Sequence, residues 1–290
     1  MRLGIIGNPR SEDLPEALRR VRIWAADRRV SLLVHQELEP VCTGAGWHLV
    51  DAAVLRREAD VVLSLGGDGT LLRAAHLVSP EEVPLLGVNI GRLGFLADTQ
   101  LAELEAALED LHEGRYTVEA RLTLALAVRL DGGGPESEHW ALNDVVVGKS
   151  GASSMIAVEA EVNDRYLNTY WGDGVIVATP TGSTAYSLAA GGPILVPDTD
   201  TILLTPICPH TLTTRPVVLP ASVRIRLRVS ALERPVVVAW DSWSREYTGQ
   251  LLEVEVMRAS YRVRMVKRQE RDFFATLRQK LGWGWDGRRN

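Results

Sequence analysis

LSLGGDGTLLRA, Leu63 to Ala74, decides how the first part of the chain folds. An apolar run stops at three glycines grouped around one carboxylate, and an apolar pattern of helical spacing (Leu71, Leu72, Ala75) begins directly after them. DVVLSL, Asp60 to Leu65, carries Val and Leu on both faces, as a buried parallel strand requires. Strand, glycine loop and helix in that order make a βα junction, and its loop falls at the carboxyl edge of the sheet, where open α/β sheets bind ligands. Gly66, Gly67 and Gly69 can take positive φ and let a phosphate approach backbone N–H groups. Thr70 is the expected N-cap, and the helix start favours an anion.

Asp68 does not fit a simple phosphate cradle, because its charge opposes a polyphosphate unless a divalent cation or a hydroxyl proton lies between them. In a phosphoryl transfer that is where a base belongs, accepting the proton of the attacking hydroxyl. Arg73, one helical turn on, then offsets phosphate charge. The alternative is a glycine-rich turn in which Asp68 only caps the helix. Other phosphate loops are absent: Gly148-Lys149-Ser150 has Asn143 where a P-loop needs its first glycine, and Gly87, Gly91 and Gly94 lack the G-x-G-x-x-G spacing.

The same alternation extends on both sides. LGIIG (Leu3 to Gly7), VSLLV (Val30 to Val34) and PLLGVNI (Pro84 to Ile90) read as strands, the last leading into the Gly91/Gly94 loop; Leu14 to Ala25 and Leu101 to Gly114 read as helices. After about residue 115 the texture changes to short alternating runs, among them LTLALAVRL, NDVVVG, MIAVEAEV, GVIVAT and LLEVEVMR, which predict a β-rich second domain. The tail DFFATLRQKLGW returns to helical spacing, and its short apolar stripe is expected to dock on a domain rather than on a membrane surface.

At 290 residues the chain is long enough for two domains with a substantial core. A formal charge of −5 argues against a nucleic-acid partner, which needs a broad basic face. Cys42 and Cys208 are too few for a disulfide scaffold or a cysteine zinc site, and no run reaches the roughly 18 apolar residues of a membrane span. A cytoplasmic protein without a membrane partner is the expectation.

Two further polar stretches lie within apolar frames. Asn143-Asp144 precedes Val145-Val146-Val147, where the amide and carboxylate suit a base or ribose, or simply a turn. GDGVIVATPTGSTAYSLAAGGPI, Gly172 to Ile194, reads as a strand, a Thr-Pro-Thr-Gly-Ser turn holding Thr181, and a helix opening near Ser183-Thr184. Tyr186 is suited to stack on a flat base, and Asp173 adds an acceptor; a well-capped helix with a core tyrosine is the structural alternative. Two such junctions suggest a bipartite site between domains.

Taken together, GGDGT, Asn143-Asp144, DGVIVATPTGSTAYSLAAGGPI, PICPHTLTTRPVVLP (Pro206 to Pro220) and FFATLRQKLGW resemble the NAD kinase family over nearly the whole chain. GGDGT alone is shared with diacylglycerol and sphingosine kinases and more loosely with phosphofructokinases; the TPTGSTAYSLAAGGP block is more specific and decides among them. The resemblance implies an α/β N-terminal domain with a parallel sheet (1–115) and a β-rich NAD-binding domain (116–266), with the tail 267–290 crossing back to the first. It implies phosphorylation of the 2′-hydroxyl of the adenosine ribose of NAD, with Asp68 as proton acceptor and Gly66, Gly67, Gly69 and Thr70 as the phosphate loop beside Arg73. Asn143 and Asp144 would hold the adenosine portion. Thr181, Thr184, Ala185, Tyr186 and Ala189 would line the dinucleotide pocket, with Asp173 at its nicotinamide end. ATP or inorganic polyphosphate is the implied donor, with Mg²⁺ or Mn²⁺ held by phosphates and water rather than by a dedicated protein site. A homodimer or homotetramer is the implied assembly. Ala189 stands where many members have serine and Trp243 where glutamine is common, so two side-chain contacts of the family are missing.

Overall fold

Residues 1–44, 46–91, 94–97, 99–136, 138–151, 155–230, 234–268 and 272–283 are described by the structure, a computed structural model. The chain divides into two units, Met1–Ala120 with Val263–Asn290, and Arg121–Arg262. Of the tail read from the sequence as 267–290, residues 269–271 and 284–290 lie outside the described residues.

The first unit contains β1 (Arg2–Gly7), α1 (Leu14–Arg28), β2 (Ser31–His35), β3 (Leu49–Val50), α2 (Ala52–Glu58), β4 (Val61–Leu65), α3 (Asp68–Val78), β5 (Leu85–Asn89), β6 (Thr99–Gln100), α4 (Leu104–His112) and β7 (Tyr116–Arg121). The sheet order is β3-β2-β1-β4-β5, continued by the returning strand Val263–Arg268 and by β7, with β6 also beside β5. The strands β1 to β6 and the returning strand pair in parallel, each turn from strand to helix emerging at the same edge. All five residues of β4 are buried, as its unbroken apolar run requires of a central strand covered on both faces. On one face Leu3, Ile5, Leu63, Leu86 and Val88 pack against Leu14, Leu18 and Val21 of α1 and Leu104 and Leu108 of α4. Helix ends follow local chemistry: Pro lies in the first turn of α1, Arg29 closes it in the left-handed region, and the Asp51 carboxylate accepts from the Val54 amide at the start of α2.

The second unit contains β8 (Leu124–Leu130), β9 (His139–Ala141), β10 (Asp144–Lys149), β11 (Ile156–Val162), β12 (Arg165–Gly172), β13 (Gly174–Ala178), α5 (Tyr186–Ala189), β14 (Thr201–Ile207), β15 (Val217–Pro220), β16 (Ile225–Ser230), β17 (Val236–Trp240), β18 (Trp243–Tyr247) and β19 (Leu251–Arg258). They form two antiparallel sheets, β15-β14-β13-β10-β17-β18 and β12-β11-β16-β19-β8-β9. Alternate residues from both sheets, such as Val145, Val147, Val175 and Val177 from one and Leu126, Val158, Leu227 and Val254 from the other, make one shared core. The opposite face of β13 is also covered: Ile176 and Ala178 pack with Leu203, Ile207, Ala190 and Leu195. That double covering is why GVIVA shows no alternation of polar residues.

The tail helix, Phe273–Leu281, buries Thr276 and Leu277, while Phe274 stays half exposed. The Lys280 ammonium lies 5.5 Å from the centroid of the Phe95 ring. No helix among the described residues is long and apolar enough to cross a membrane.

Leu63 is fully buried in β4. Leu63→Ala is expected to destabilise the first unit by about 2–5 kcal/mol, read from the midpoint of a urea unfolding curve.

Candidate functional site

The loop after β4 starts a helix at an earlier residue than its sequence suggests. Asp68 is itself the first residue of α3, Gly67 is the N-cap, and Thr70 lies inside the first turn. Thr70 therefore is not the cap: its amide and that of Leu71 donate to the Gly67 carbonyl, so the turn closes before the hydroxyl can serve. Nor do Gly66, Gly67 and Gly69 adopt positive φ. At Gly66 the constraint is space, since a Cβ there would lie 2.2 Å from Thr70 Oγ1. The amides of Asp68 and Gly69, at the open end of the helix, have no intrahelical acceptor.

The Asp68 side chain turns to the loop that follows β5. Its Oδ2 accepts from the Phe95 amide at 2.7 Å, and its Oδ1 accepts from Leu96 and Ala97 at 3.0 Å each. Gly94 is what lets the loop come this close: a Cβ at that position would stand 1.7 Å from Asp68 Oδ1. Upstream in the same loop, buried Asn89 accepts from the Gly91 amide at 2.8 Å and shapes the exit from β5. Apart from the Gly91/Gly94 spacing of the loop, no local sequence pattern marks these residues as functional. The capping alternative is also answered, because Asp68 accepts from a neighbouring loop instead of from its own helix.

Arg73 differs from the expectation of a cation free to face phosphate. One terminal nitrogen is ion-paired with Glu37, in the turn after β2, and the other donates to the Gly7 carbonyl at 2.6 Å. Its charge is thus already partnered across the carboxyl edge of the sheet. Burial pushes the Glu37 carboxyl up, but His35 and the Arg73 guanidinium together outweigh it and hold the group below the usual carboxylate range.

In the second unit the chain around Asn143 and Asp144 is enclosed by the ends of two flanking strands. The Asn143 carbonyl accepts from the Thr179 amide at 2.9 Å, and the Leu142 carbonyl accepts from Thr179 Oγ1 at 2.6 Å. On the other flank, Asp241 Oδ2 and Oδ1 accept from the amides of Leu142 and Asn143 at 2.8 and 2.7 Å. Asn143 is half-buried and Asp144 buried, so neither is an ordinary surface turn residue. Burial, and then the nearby Asp241 carboxylate, push the Asp144 carboxyl up from 3.8 to about 7.

Thr181 belongs to a 3₁₀ turn, Thr181–Thr184, and the helix expected near Ser183-Thr184 is only the single turn of α5, Tyr186–Ala189. Its sheet is antiparallel and α5 is a single turn, so this junction lacks both the carboxyl-edge placement of a βα unit and the dipole of a longer helix. Most hydroxyls here hold the fold. Thr179 Oγ1 accepts from the Gly182 amide, Ser183 Oγ bridges the Pro180 carbonyl and the Leu195 amide, Thr184 Oγ1 donates to the Thr181 carbonyl, and Ser187 pairs with Thr205. Tyr186 is 47 % exposed, which rules out the core-tyrosine alternative and leaves a ring face open. Ala189 is exposed and Trp243 opens β18 opposite Trp240. Asp173 stands apart from the others: it lies beyond the opposite end of β13, one strand length or about 17 Å from Ala178. There it pairs with Lys149, Nζ to Oδ1 at 2.6 Å.

Comparison with known proteins agrees with this architecture. Residues 3–116 match the family described as ATP-NAD kinase N-terminal domain, and residues 142–268 match the ATP-NAD kinase C-terminal domain. The chain is 44% identical over 231 residues to an NAD kinase of Bacteroides fragilis, covering 80% of this chain and 79% of that one. It is 41% identical over 285 residues to an NAD kinase of Heliobacterium modesticaldum, covering 96% and 99%. Among solved structures, yeast NADH kinase complexed with NADH superimposes with a TM-score of 0.91 at 24% identity, over 100% of this chain and 90% of that chain. An NAD kinase from Archaeoglobus fulgidus in complex with ATP gives 0.76 at 23% identity, over 96% and 99%. At those identities the two structures speak for the fold.

Two outcomes follow from the geometry. Gly94→Ala drives a methyl group into the Asp68 carboxylate and is expected to cost about 1–3 kcal/mol in urea unfolding, the scale of losing buried hydrogen bonds. For Asp144 the folded carboxyl titrates above its unfolded value, so its stabilising contribution is full below the unfolded 3.8 and is lost as pH rises through about 7. Stability is expected to fall over that window by up to about 1.4 kcal/mol per pH unit, and Asp144→Asn to flatten the slope in unfolding curves taken across it.

Proposed function

The chain belongs to the NAD kinase family of enzymes, and on that premise we propose that it transfers the terminal phosphoryl group of ATP, or of inorganic polyphosphate, to the 2′-hydroxyl of the adenosine ribose of NAD. The observation that carries the reading is the hydrogen-bonding of Asp68. A carboxylate offers roughly four lone-pair sites, and three are filled by the amides of Phe95, Leu96 and Ala97. Among the described residues two donors lie on Oδ1 and one on Oδ2, which leaves an acceptor site on Oδ2. That atom is the proposed acceptor of the ribose proton.

In this reading the ribose oxygen attacks the terminal phosphorus in line, its proton passes to Asp68 Oδ2, and the bond from phosphorus to the bridging oxygen breaks to release the shortened donor. Three backbone donors fix the base without any side-chain rotamer, so little reorganisation is needed at the moment of transfer. The amides of Asp68 and Gly69, without an acceptor in their own helix, favour phosphate oxygens at the start of α3, in company with Gly66, Gly67 and Thr70. Arg73 contributes to phosphate binding by exchanging or sharing its bond to Glu37. The cation, Mg²⁺ or Mn²⁺, supplies charge neutralisation of the donor when bound. In this reading the ion is held by the donor's phosphates and by water.

Asn143 and Asp144 bind the adenosine portion, the half-buried amide reading the base or ribose and the carboxylate accepting from a sugar hydroxyl. Thr181, Thr184, Ala185, exposed Tyr186 and Ala189 line the dinucleotide pocket. Asp173 meets the nicotinamide end, and its separation along β13 suits a ligand that lies extended. A homodimer or homotetramer is the proposed assembly.

The test is a coupled assay of NADP formation with ATP and polyphosphate side by side. Asp68→Asn is expected to keep dinucleotide binding and lose about 10²- to 10⁴-fold in turnover, the contribution of a positioned base. Wild-type turnover in that variant would remove Asp68 from the proton transfer, and dinucleotide binding without NADP from any donor would favour a nucleotide sensor.

A further inference from the structure

We propose that Asp241 is a positioning residue for dinucleotide binding: its carboxylate grips the consecutive amides of Leu142 and Asn143 and so holds the Asn143-Asp144 pair in its binding orientation. The inference rests on the reading of that pair as the adenosine-binding element.

Leu142 and Asn143 precede β10, so the regular ladder does not serve their polar groups. Buried backbone donors and acceptors need partners, and here every one has one. The two carbonyls go to Thr179, by its hydroxyl and its amide, and the two amides go to the two oxygens of Asp241. Thr179 directly follows β13 and Asp241 directly follows β17, the two strands that flank β10. The side chains thus continue the pairing pattern one step past the end of the central strand.

Asp241 is held in place for this task. It occupies the left-handed region at φ 52 in the two-residue turn between β17 and β18, a conformation that Asp and Asn tolerate better than other side-chain-bearing residues. Its own amide donates to the Asp144 carbonyl at 3.1 Å, closing a ring of three hydrogen bonds around Leu142, Asn143 and Asp144. A neutral residue of the same shape supplies one acceptor instead of two, and would place an N–H against an N–H.

The arrangement has a second effect, on charge. The Asp144 carboxyl accepts no hydrogen bond among the described residues, and the groups across from it in the sheet are apolar: Ala178 pairs with it on β13, and Trp240 ends β17 beside Val145. The charged group acting on it there is Asp241. One carboxylate therefore both positions its neighbour and opposes the neighbour's ionisation. A ribose hydroxyl that donates to Asp144 offsets this opposition, so dinucleotide affinity should rise as the medium becomes less acidic through neutrality.

The experiment measures the Kd for NAD between pH 5.5 and 8.5 on the full chain, with melting temperatures in parallel. In the wild type the Kd should fall through an inflection near neutrality. Asp241→Asn should raise the Kd by tenfold or more and move the inflection to lower pH, with KM rising more than kcat falls. Asp241→Glu, which keeps the charge but displaces it, should raise the Kd and leave the inflection near neutral. A purely structural role would lower the melting temperature in both without separating their pH profiles. An unchanged Kd in either folded variant, or an Asp241→Asn profile that keeps its inflection, overturns the proposal. If Asp241→Asn does not fold, an Asp241→Glu protein with wild-type Kd overturns it alone. Asp144→Asn distinguishes the two readings: if that variant binds NAD as the wild type does, the adenosine-binding reading has failed, whereas its loss of binding alongside an indifferent Asp241→Asn condemns only the role of Asp241.

Discussion

A carboxylate cannot sit at the carboxyl edge of a parallel sheet, among glycines, without something to direct it. In this chain the direction comes from three successive backbone amides, Phe95, Leu96 and Ala97, which all donate to Asp68. The consequences run both ways through the first unit. β4 and β5 must be adjacent and in parallel register for their following loops to meet, which they are, from Val62 opposite Leu85 to Leu65 opposite Val88. Gly94 must lack a side chain, because the carboxylate occupies the space of a Cβ. The tail helix lays Lys280 over Phe95, so the end of the chain touches the same loop that grips the acid. Charge-assisted bonds of this kind are stronger than neutral ones, and three of them hold the group more firmly than a helix cap would.

The second unit meets a related problem by another means. Its central strand β10 begins at Asp144, and the backbone groups of Leu142 and Asn143 just before it cannot be left unpaired beside an apolar sandwich core. Thr179 and Asp241 supply the missing partners from either side. Burying the Asp144 carboxyl beside the charge of Asp241 is costly, and the cost appears as the raised titration of Asp144. Natural chains keep strain of this sort where binding or chemistry needs it, and remove it elsewhere. Much of the hydroxyl-rich stretch from Thr179 to Ser187 has the opposite character: its side chains are engaged in holding a compact turn over β13, leaving Tyr186 as the outward-facing ring.

The kind of fold was legible in the order of residues because it depends on local periodicity. Unbroken apolar runs such as VVLSL need both faces covered, alternating runs such as LLEVEVMR need one, and these two patterns separate an α/β unit from a β sandwich before any contact is known. GGDGT, Asn143-Asp144 and the TPTGSTAY block were visible as polar residues interrupting those patterns. Element boundaries and partners were not. Whether the helix begins at Asp68 or after Thr70 turns on which carbonyl captures two amides, and α5 opens only at Tyr186 because a 3₁₀ turn occupies Thr181–Thr184 ahead of it.

What the sequence determined by itself is therefore the class of each segment and the chemical identity of its odd polar residues, since both are set within a few positions along the chain. The tertiary structure decided which groups those residues meet. Phe95 is 27 positions from Asp68, Glu37 is 36 from Arg73, and Asp241 is 98 from Asn143. Hydrogen bonds act over about 3 Å, and only the pairing of distant strands brings such partners within that reach.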